Sequence, residues 1–419
     1  MAGMSQVSGP KSFEISKHMV FEAYRRVKAN KGAAGVDGES IEQFEVDLKG
    51  NLYKLWNRMS SGCYFPPPVR MVEIDKPGGR GVRILGVPTV ADRIAQTVTA
   101  MYLEPDVEKI FHPDSFGYRP GRGALDAVGR CRERCWRTDW VIDLDIKGFF
   151  DNLDHDLVLK AVAHHTDQRW ILLYVQRWLA APLQRRDGSL VARDRGSPQG
   201  SAISPLLANL FMHYAFDAWM AREHPTIGFE RYCDDVVVHC RSEAEAHQVQ
   251  EAIAVRLAAC GGLQLHPEKT RIVYCKDGTR RGSYEHTSFT FLGYGFRVRK
   301  VRTKTGKYFF SFNPAISDEA AKRIRAQIRS WRLHRRSGST LADLAREINV
   351  AVRGWINYYG RFYRSALVAS LNRINDYLVR WIVQKYKRYR RRWMRARDAL
   401  GRAAKLHPRL FAHWQFVKP

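Results

Sequence analysis

No two cysteines in this chain are spaced C-x-x-C. Seven are present, at positions 63, 131, 135, 233, 240, 260 and 275. That is an odd number without the pairing of a zinc module or a disulfide scaffold. Cys131 and Cys135 are four apart, one helical turn, and read as small core residues rather than ligands. The fourteen histidines show no ligand spacing. No signal peptide is expected, which with the odd thiol count points to a reducing, cytoplasmic setting. No apolar run approaches ~20 residues, so no membrane-spanning helix is expected. Internal repeats and low-complexity linkers are absent.

Acidic residues are scarce in the last third. From Arg297 to Pro419, 31 Lys and Arg stand against 6 Asp and Glu, a net +25 of the chain's +27. The first 296 residues are therefore nearly neutral, and the tail is built for a polyanion. A solvated extension is the plain alternative. Trp, Tyr, Ile and Leu at helical spacing argue instead for a folded basic domain. With 419 residues and 45% hydrophobic content, two or three domains with real cores are expected.

A helix is predicted from about Phe13 to Lys31, then a glycine-marked loop, Asn30-Lys-Gly-Ala-Ala-Gly-Val-Asp-Gly38, then helix again from Ile41 to Ser61. Val69 to Asp75 and Val82 to Val87 read as strands around a Pro77-Gly-Gly-Arg-Gly81 turn. Asp92 to Ile110 is helical, and another helix ends near Arg137. Ser204-Pro205 reads as a helix cap with an N1 proline, followed by a buried stripe of Leu206, Leu210, Phe211 and Tyr214. Ser242-Glu-Ala-Glu245 is a capping box whose helix ends at Gly261-Gly262. Phe289 to Arg297 and Tyr308 to Phe312 read as short strands. Beyond Ser317 the pattern is all-helical: one helix carries Ala321, Ile324, Ile328 and Trp331, a second opens with the capping box Thr340-Leu-Ala-Asp343, and a third continues from Leu371 into Lys385–Trp393. The composition shift places a boundary near residue 300.

What chemistry there is sits in two acidic clusters about ninety residues apart. One is Trp140-Val-Ile-Asp-Leu-Asp-Ile-Lys-Gly-Phe-Phe150. The other is Phe229-Glu-Arg-Tyr-Cys-Asp-Asp-Val-Val-Val-His-Cys240. Alternation puts Ile142, Leu144 and Ile146 on one face and Val141, Asp143 and Asp145 on the other. Carboxylates in apolar, β-prone runs resist burial unless a charge cancels theirs. Mg²⁺ prefers a few carboxylates plus substrate phosphates.

These residues resemble bacterial group II intron reverse transcriptases, also called maturases, in an ordered set running nearly end to end. Asn30–Gly38 resembles their N-terminal block. Arg83-Ile-Leu-Gly-Val-Pro-Thr89 and Phe116-Gly-Tyr-Arg-Pro-Gly-Arg122 resemble fingers blocks. Asp145-Ile-Lys-Gly-Phe-Phe-Asp151 holds the first Asp, Ser197-Pro-Gln-Gly-Ser-Ala-Ile-Ser-Pro205 lies beside the nascent pair, and Tyr232-Cys-Asp-Asp235 is the YxDD box. His266-Pro-Glu-Lys-Thr270 and Phe291-Leu-Gly293 complete the palm. Gly354-Trp-Ile-Asn-Tyr-Tyr359 and Phe411-Ala-His-Trp414 resemble the maturase domain. The resemblance implies an α+β right-hand polymerase. Residues 1–110 would be N-terminal extension and fingers, and 111–300 a palm of antiparallel sheet flanked by helices, with some fingers near 111–140. Residues 301–419 would be an all-helical basic thumb.

The resemblance also implies roles. Asp145, Asp234 and Asp235 would be catalytic and, with Ile146, hold two Mg²⁺ ions, with Mn²⁺ as a substitute. Lys76, Arg83, Gly148, Phe149, Phe150, Gln199 and Lys269 would bind the dNTP, Phe150 as a wall against the ribose 2′ position and Lys269 near the leaving pyrophosphate. Arg119, Arg122, Tyr358, Lys385, Lys387, Arg388, Arg391 and Arg392 would contact nucleic acid. Partners would be an RNA template (intron RNA), a DNA primer or target, and dNTPs, in the cytoplasm at the nucleoid. Cys233 stands where the family usually has Ala, and is expected to modify primer-end packing. Ser201 replaces a frequent Gly and would tune how the template sits. The sequence given ends soon after Trp414, which implies no self-supplied target-strand cleavage. Two alternatives stay open: a domesticated relative in DNA repair or host defence, motivated by Cys233 and Ser201, and a non-catalytic RNA-binding maturase.

Overall fold

The computed structural model describes residues 12–75, 81–303 and 305–419. Helix α1 (Lys17–Asn30) forms because Val20, Ala23, Tyr24 and Val27 recur at helical spacing, and all four are buried. The expected helix from Ile41 to Ser61 is two helices, α2 (Ile41–Val46) and α3 (Leu48–Ser60). Asp47 splits them: it leaves helical geometry and its carboxylate accepts the Gly50 N–H at 3.1 Å. Helix α4 (Val90–Val107) packs on α1 and α3.

Eleven strands make three sheets among the described residues. In the first, β1 (Val69–Asp75) pairs antiparallel with β2 (Val82–Val87), with the bounds expected from the sequence. The expected turn at 77–81 lies outside the described residues apart from Gly81. After α5 (Ala124–Cys135) comes β3 (Trp140–Leu144), then α6 (His155–Ala163) and α7 (Arg169–Ala180). The short strands β4 (Leu183–Gln184) and β5 (Leu190–Val191) extend the first sheet.

The central sheet has the order β6-β7-β3-β8, with β6 (Gly228–Tyr232), β7 (Asp235–Cys240) and β8 (Arg271–Tyr274). Its two faces meet different cores. Ile142, Leu144, Val236 and Val238 join the large core with α8 (Ser204–Met212) and α10 (Glu243–Ala259). Val141, Val237 and Val273 join a smaller core with Cys131 and Cys135 of α5. Ser204 does not cap α8. It lies inside the helix, its hydroxyl 2.6 Å from that of Ser197. Tyr214 leaves the predicted stripe because α8 runs into a π-helical turn, His213–Asp217, which shifts the register before α9 (Ala218–Glu223). The box at Ser242 is half made. The Ser242 hydroxyl accepts the Glu245 N–H, but the Glu245 carboxylate takes the Arg241 N–H instead.

The third sheet is β9 (Phe289–Phe291), β10 (Tyr294–Arg302) and β11 (Tyr308–Ile316). The single strand expected over Phe289–Arg297 is broken at Leu292 and Gly293, both at positive φ. β11 runs four residues past the expected Phe312. A separate helical core opens at Ile316 and gathers α11 (Asp318–Ser330), α12 (Leu341–Tyr359), α13 (Ser365–Lys385) and α14 (Trp393–Leu406). Helix α13 stops at Lys385 instead of continuing, since Tyr386 is extended and Arg391 sits at φ +58°. A continuous helix would stack the cations of 385–392 on one another, where like charges at i,i+4 repel.

Candidate active site

Three strand ends bring the carboxylates together. Leu144 pairs with Val236 across β3 and β7, so Asp145 comes opposite Asp235 one position on. Tyr232 pairs with Asp235 across β6 and β7, leaving Cys233 and Asp234 as a two-residue turn. Asp143 shares the face of Asp145 and Asp235. Burial, then the charges of Asp234 and Asp145, push Asp235 up to about 7. Burial, then Asp235 and Asp145, do the same to Asp143. Burial also raises Asp234. The carboxylate oxygens of Asp145, Asp234 and Asp235 do not all fall within 4.8 Å of one another. Lys269 draws Asp145 aside, its Nζ 2.6 Å from Oδ2. Mutually repelling acids with a lysine standing in as cation fit a divalent metal. Ile146 adds to that fit. Its neighbours' backbone groups are taken by His266 and Gln264, while its own carbonyl has no partner among the described residues.

A buried arginine that the sequence reading passed over holds the turn. Arg231 is fully buried, and its five N–H groups all find acceptors. It donates to Asp217 at 2.7 and 2.6 Å, Asn209 at 2.9 Å, Ser115 at 2.8 Å and the Cys233 carbonyl at 3.0 Å. Cys233 itself sits at φ +61° with its side chain in the core. Gly117 packs under this turn, and a Cβ there would meet the Cys233 nitrogen at 2.6 Å. Tyr118, next in the chain, is also left-handed and holds an exposed ring 6.0 Å from that of Tyr232. A non-glycine residue held in the left-handed region costs about 1–3 kcal/mol, which the surrounding packing must offset. The signal for Arg231 and Asp217 was charge inside otherwise apolar runs.

Facing the acids, exposed Arg83 on β2 bears on both Asp234 and Asp235 and donates to the Gln199 side-chain carbonyl. Lys76 lies outside the described residues. Gly148 is left-handed and opens the turn Phe149–Asp151. Phe149 packs into the core, and Phe150, 9% exposed, accepts the Ser197 N–H at its carbonyl. Ser201 is tied down, its hydroxyl donating to Gln96 at 2.6 Å, and Gln96 in turn donates to buried Asp92. Lys269 is ion-paired with Asp145 and otherwise exposed.

The expected nucleic-acid contacts divide. Arg119 is 7% exposed, ion-paired with Glu108 at 2.6 Å and bonded to the carbonyls of His112 and Ser115. That use inside the protein takes it from the expected set. Arg122 donates to the Pro113 carbonyl at 2.5 Å. Tyr358 donates to the Leu292 carbonyl at 2.7 Å, joining the helical unit to the β9–β10 turn. Lys385 is spent on the Ser339 carbonyl at 2.6 Å. Lys387, Arg388, Arg391 and Arg392 stand exposed, with no acidic partner among the described residues.

The family model "Reverse transcriptase (RNA-dependent DNA polymerase)" matches residues 74–296, which hold all three carboxylates. The "Group II intron, maturase-specific domain" matches residues 321–399, the basic helices. This chain belongs to the group II intron reverse transcriptase family. This reverse transcriptase-family chain is 31% identical over 326 residues to Protein YkfC of Escherichia coli, covering 68% of the chain and 81% of that protein. It is 29% identical over 195 residues to the group II intron-encoded protein LtrA of Lactococcus lactis, covering 46% of the chain and 32% of LtrA. It is 32% identical over 202 residues to a putative COX1/OXI3 intron 1 protein of Saccharomyces cerevisiae, covering 48% and 24%. The match therefore spans a third or less of those last two. Among the described residues no helix is long and apolar enough to cross a membrane.

Proposed function

We propose that this chain is an RNA-directed DNA polymerase that extends a DNA primer on an RNA template, and that its basic helices grip intron RNA to assist splicing and mobility. The observation that carries the reading is the convergence of Asp145 with Asp234 and Asp235 at one end of the central sheet, opposite Arg83 and Gln199. Asp145, Asp234, Asp235 and the Ile146 carbonyl would hold two Mg²⁺ ions, which when bound steady the attacking and leaving oxygens of nucleotidyl transfer. Arg83 clamps the triphosphate by charge, and Gln199, already bonded to it, orients that clamp. Lys269 balances Asp145 in the free protein and is released toward phosphate when the acids find another cation. The test is primer extension on RNA and DNA templates with Mg²⁺. Extension on neither template would leave an RNA-binding maturase.

Phe150 supplies sugar selection. Phe150→Ala should raise rNTP incorporation relative to dNTP by about 10-fold or more, as expected when a steric wall is worth ~1–3 kcal/mol. The ratio is the readout, because lost packing alone would lower both rates together. For the helical unit, the triple variant Arg388→Ala, Arg391→Ala, Arg392→Ala should flatten the log–log salt dependence of RNA binding by about 2–3, at ~0.7–0.9 per phosphate contact. Arg119→Ala should lower stability and leave that slope unchanged.

A further inference from the structure

The catalytic end is only half of this sheet face. Val141 pairs with His239 and Asp143 with Val237 across β3 and β7, so the face bearing Asp143 and Asp145 also bears His239 at its other end. His239 lies four residues along β7 from Asp235, roughly 13 Å. Helix α5 crosses over it and turns Cys131 and Cys135 inward. One ligand atom from each of Cys131, Cys135 and His239 lies within 4.8 Å of the others, and all three residues are buried. Cys275, immediately after β8, is buried in the same small core, and Arg280 ties its carbonyl to that of Cys135.

The groups behind the cluster are arranged as an outer shell. His239 Nε2 is 2.6 Å from Glu230 Oε2, which places an N–H on the carboxylate and leaves Nδ1 as the nitrogen that would ligate once its own proton is given up. The Thr138 hydroxyl, 3.4 Å from Nδ1, gives its proton to the Arg134 carbonyl at 3.0 Å, so it does not donate to Nδ1. A carboxylate behind a ligating histidine fixes its tautomer and raises its basicity. Two arginines supply compensating charge. Arg134 pairs with Glu230 and, at 2.6 Å, with Asp114. Arg280 donates to the carbonyls of Cys135 at 2.8 Å and Cys275 at 2.9 Å.

We propose that Cys131, Cys135 and His239, with Cys275 as fourth ligand, bind a structural zinc ion that pins α5 to the palm sheet. A closed sulfur-rich set with one imidazole suits Zn²⁺ and not Mg²⁺. Zn–S bonds of about 2.3 Å put tetrahedral sulfurs about 3.8 Å apart, so Cys131, Cys135 and His239 need to draw in by at most about 1 Å, and Cys275 closes on them when metal binds. A thiol binds Zn²⁺ only as the thiolate, so Cys131 and Cys135 must lose their protons to the metal. Loading therefore expels protons and belongs to folding. The reading of Cys131 and Cys135 as core residues gives the right burial and omits their partners, which arrive from strands more than a hundred residues away.

The test is metal content by mass spectrometry on full-length protein, expressed with added zinc and purified in excess Mg²⁺. About one zinc per chain is expected, kept by Asp234→Asn and reduced about tenfold in Cys131→Ala/Cys135→Ala. Because that double variant is liable to misfold, wild-type protein loaded with Co²⁺ gives a second readout: a near-ultraviolet thiolate-to-cobalt charge-transfer band. A wild-type chain with less than about 0.1 zinc, zinc that survives loss of both cysteines, or a cobalt protein without that band each overturns the assignment.

Discussion

Asp234→Asn should cut primer extension by at least about a thousandfold, ~4 kcal/mol of lost transition-state stabilisation, while making the metal-free protein melt higher. The two effects have one cause. Asp234, Asp235 and Asp143 crowd negative charge that burial penalises, so neutralising one relieves the apo fold and removes a cation ligand. Stability gained as activity falls is the signature of a functional site rather than a structural one. The sign of the pH dependence follows. Asp235 and Asp143 are pushed up to about 7 in the folded chain, against about 3.9 unfolded. Between those values the folded state holds more protons than the unfolded state. Stability without metal therefore falls as pH rises from about 4 to about 7, and the full penalty persists above that. Thermal melts in chelator across this range should slope down for wild type and more gently for Asp235→Asn, and added Mg²⁺ should restore several degrees at pH 8 in wild type only. Equal extension by Asp234→Asn and wild type would remove Asp234 from the catalytic set.

The features legible in the sequence were the locally determined ones. Alternation in Val141–Ile146 reflects two differently packed faces, so that strand and the shared face of Asp143 and Asp145 could be read directly. Thr340 with Asp343 announced α12 because a capping box is complete within four residues. The unread features were interactions between segments. Arg119 has the composition of a phosphate binder, and only the fold reveals Glu108 beneath it. Lys269 is 124 residues from Asp145, and no periodicity encodes their 2.6 Å contact. The π-helical turn at His213–Asp217 adds a residue to one turn, and this moved Tyr214 off the stripe that a 3.6 repeat assigns it. Leu292 is left-handed although it is not glycine, so Gly293 alone marked the break between β9 and β10 in the sequence.

Arg231→Met should destabilise the chain by about 3–5 kcal/mol, because it leaves Asp217 charged and unpaired where neither partner meets solvent. The loss should show as a fall in urea midpoint at unchanged slope. Replacing both partners, as Arg231→Met with Asp217→Leu, should recover part of it, since the orphaned charge and not the missing pair dominates the cost. Activity should not recover with stability. The guanidinium also spans Asn209, Ser115 and the Cys233 carbonyl, and so ties the Asp234 turn to α8 and to the segment before Gly117. Arg231→Lys tests that role separately. It keeps the charge but offers three donors from one point in place of a five-donor fork. Lysine should therefore hold much of the urea midpoint and still lower kcat, because a turn displaced by even about 1 Å costs about a hundredfold. A lysine variant with full kcat, or a methionine variant with an unmoved midpoint, would show that the YxDD turn holds its shape without this arginine.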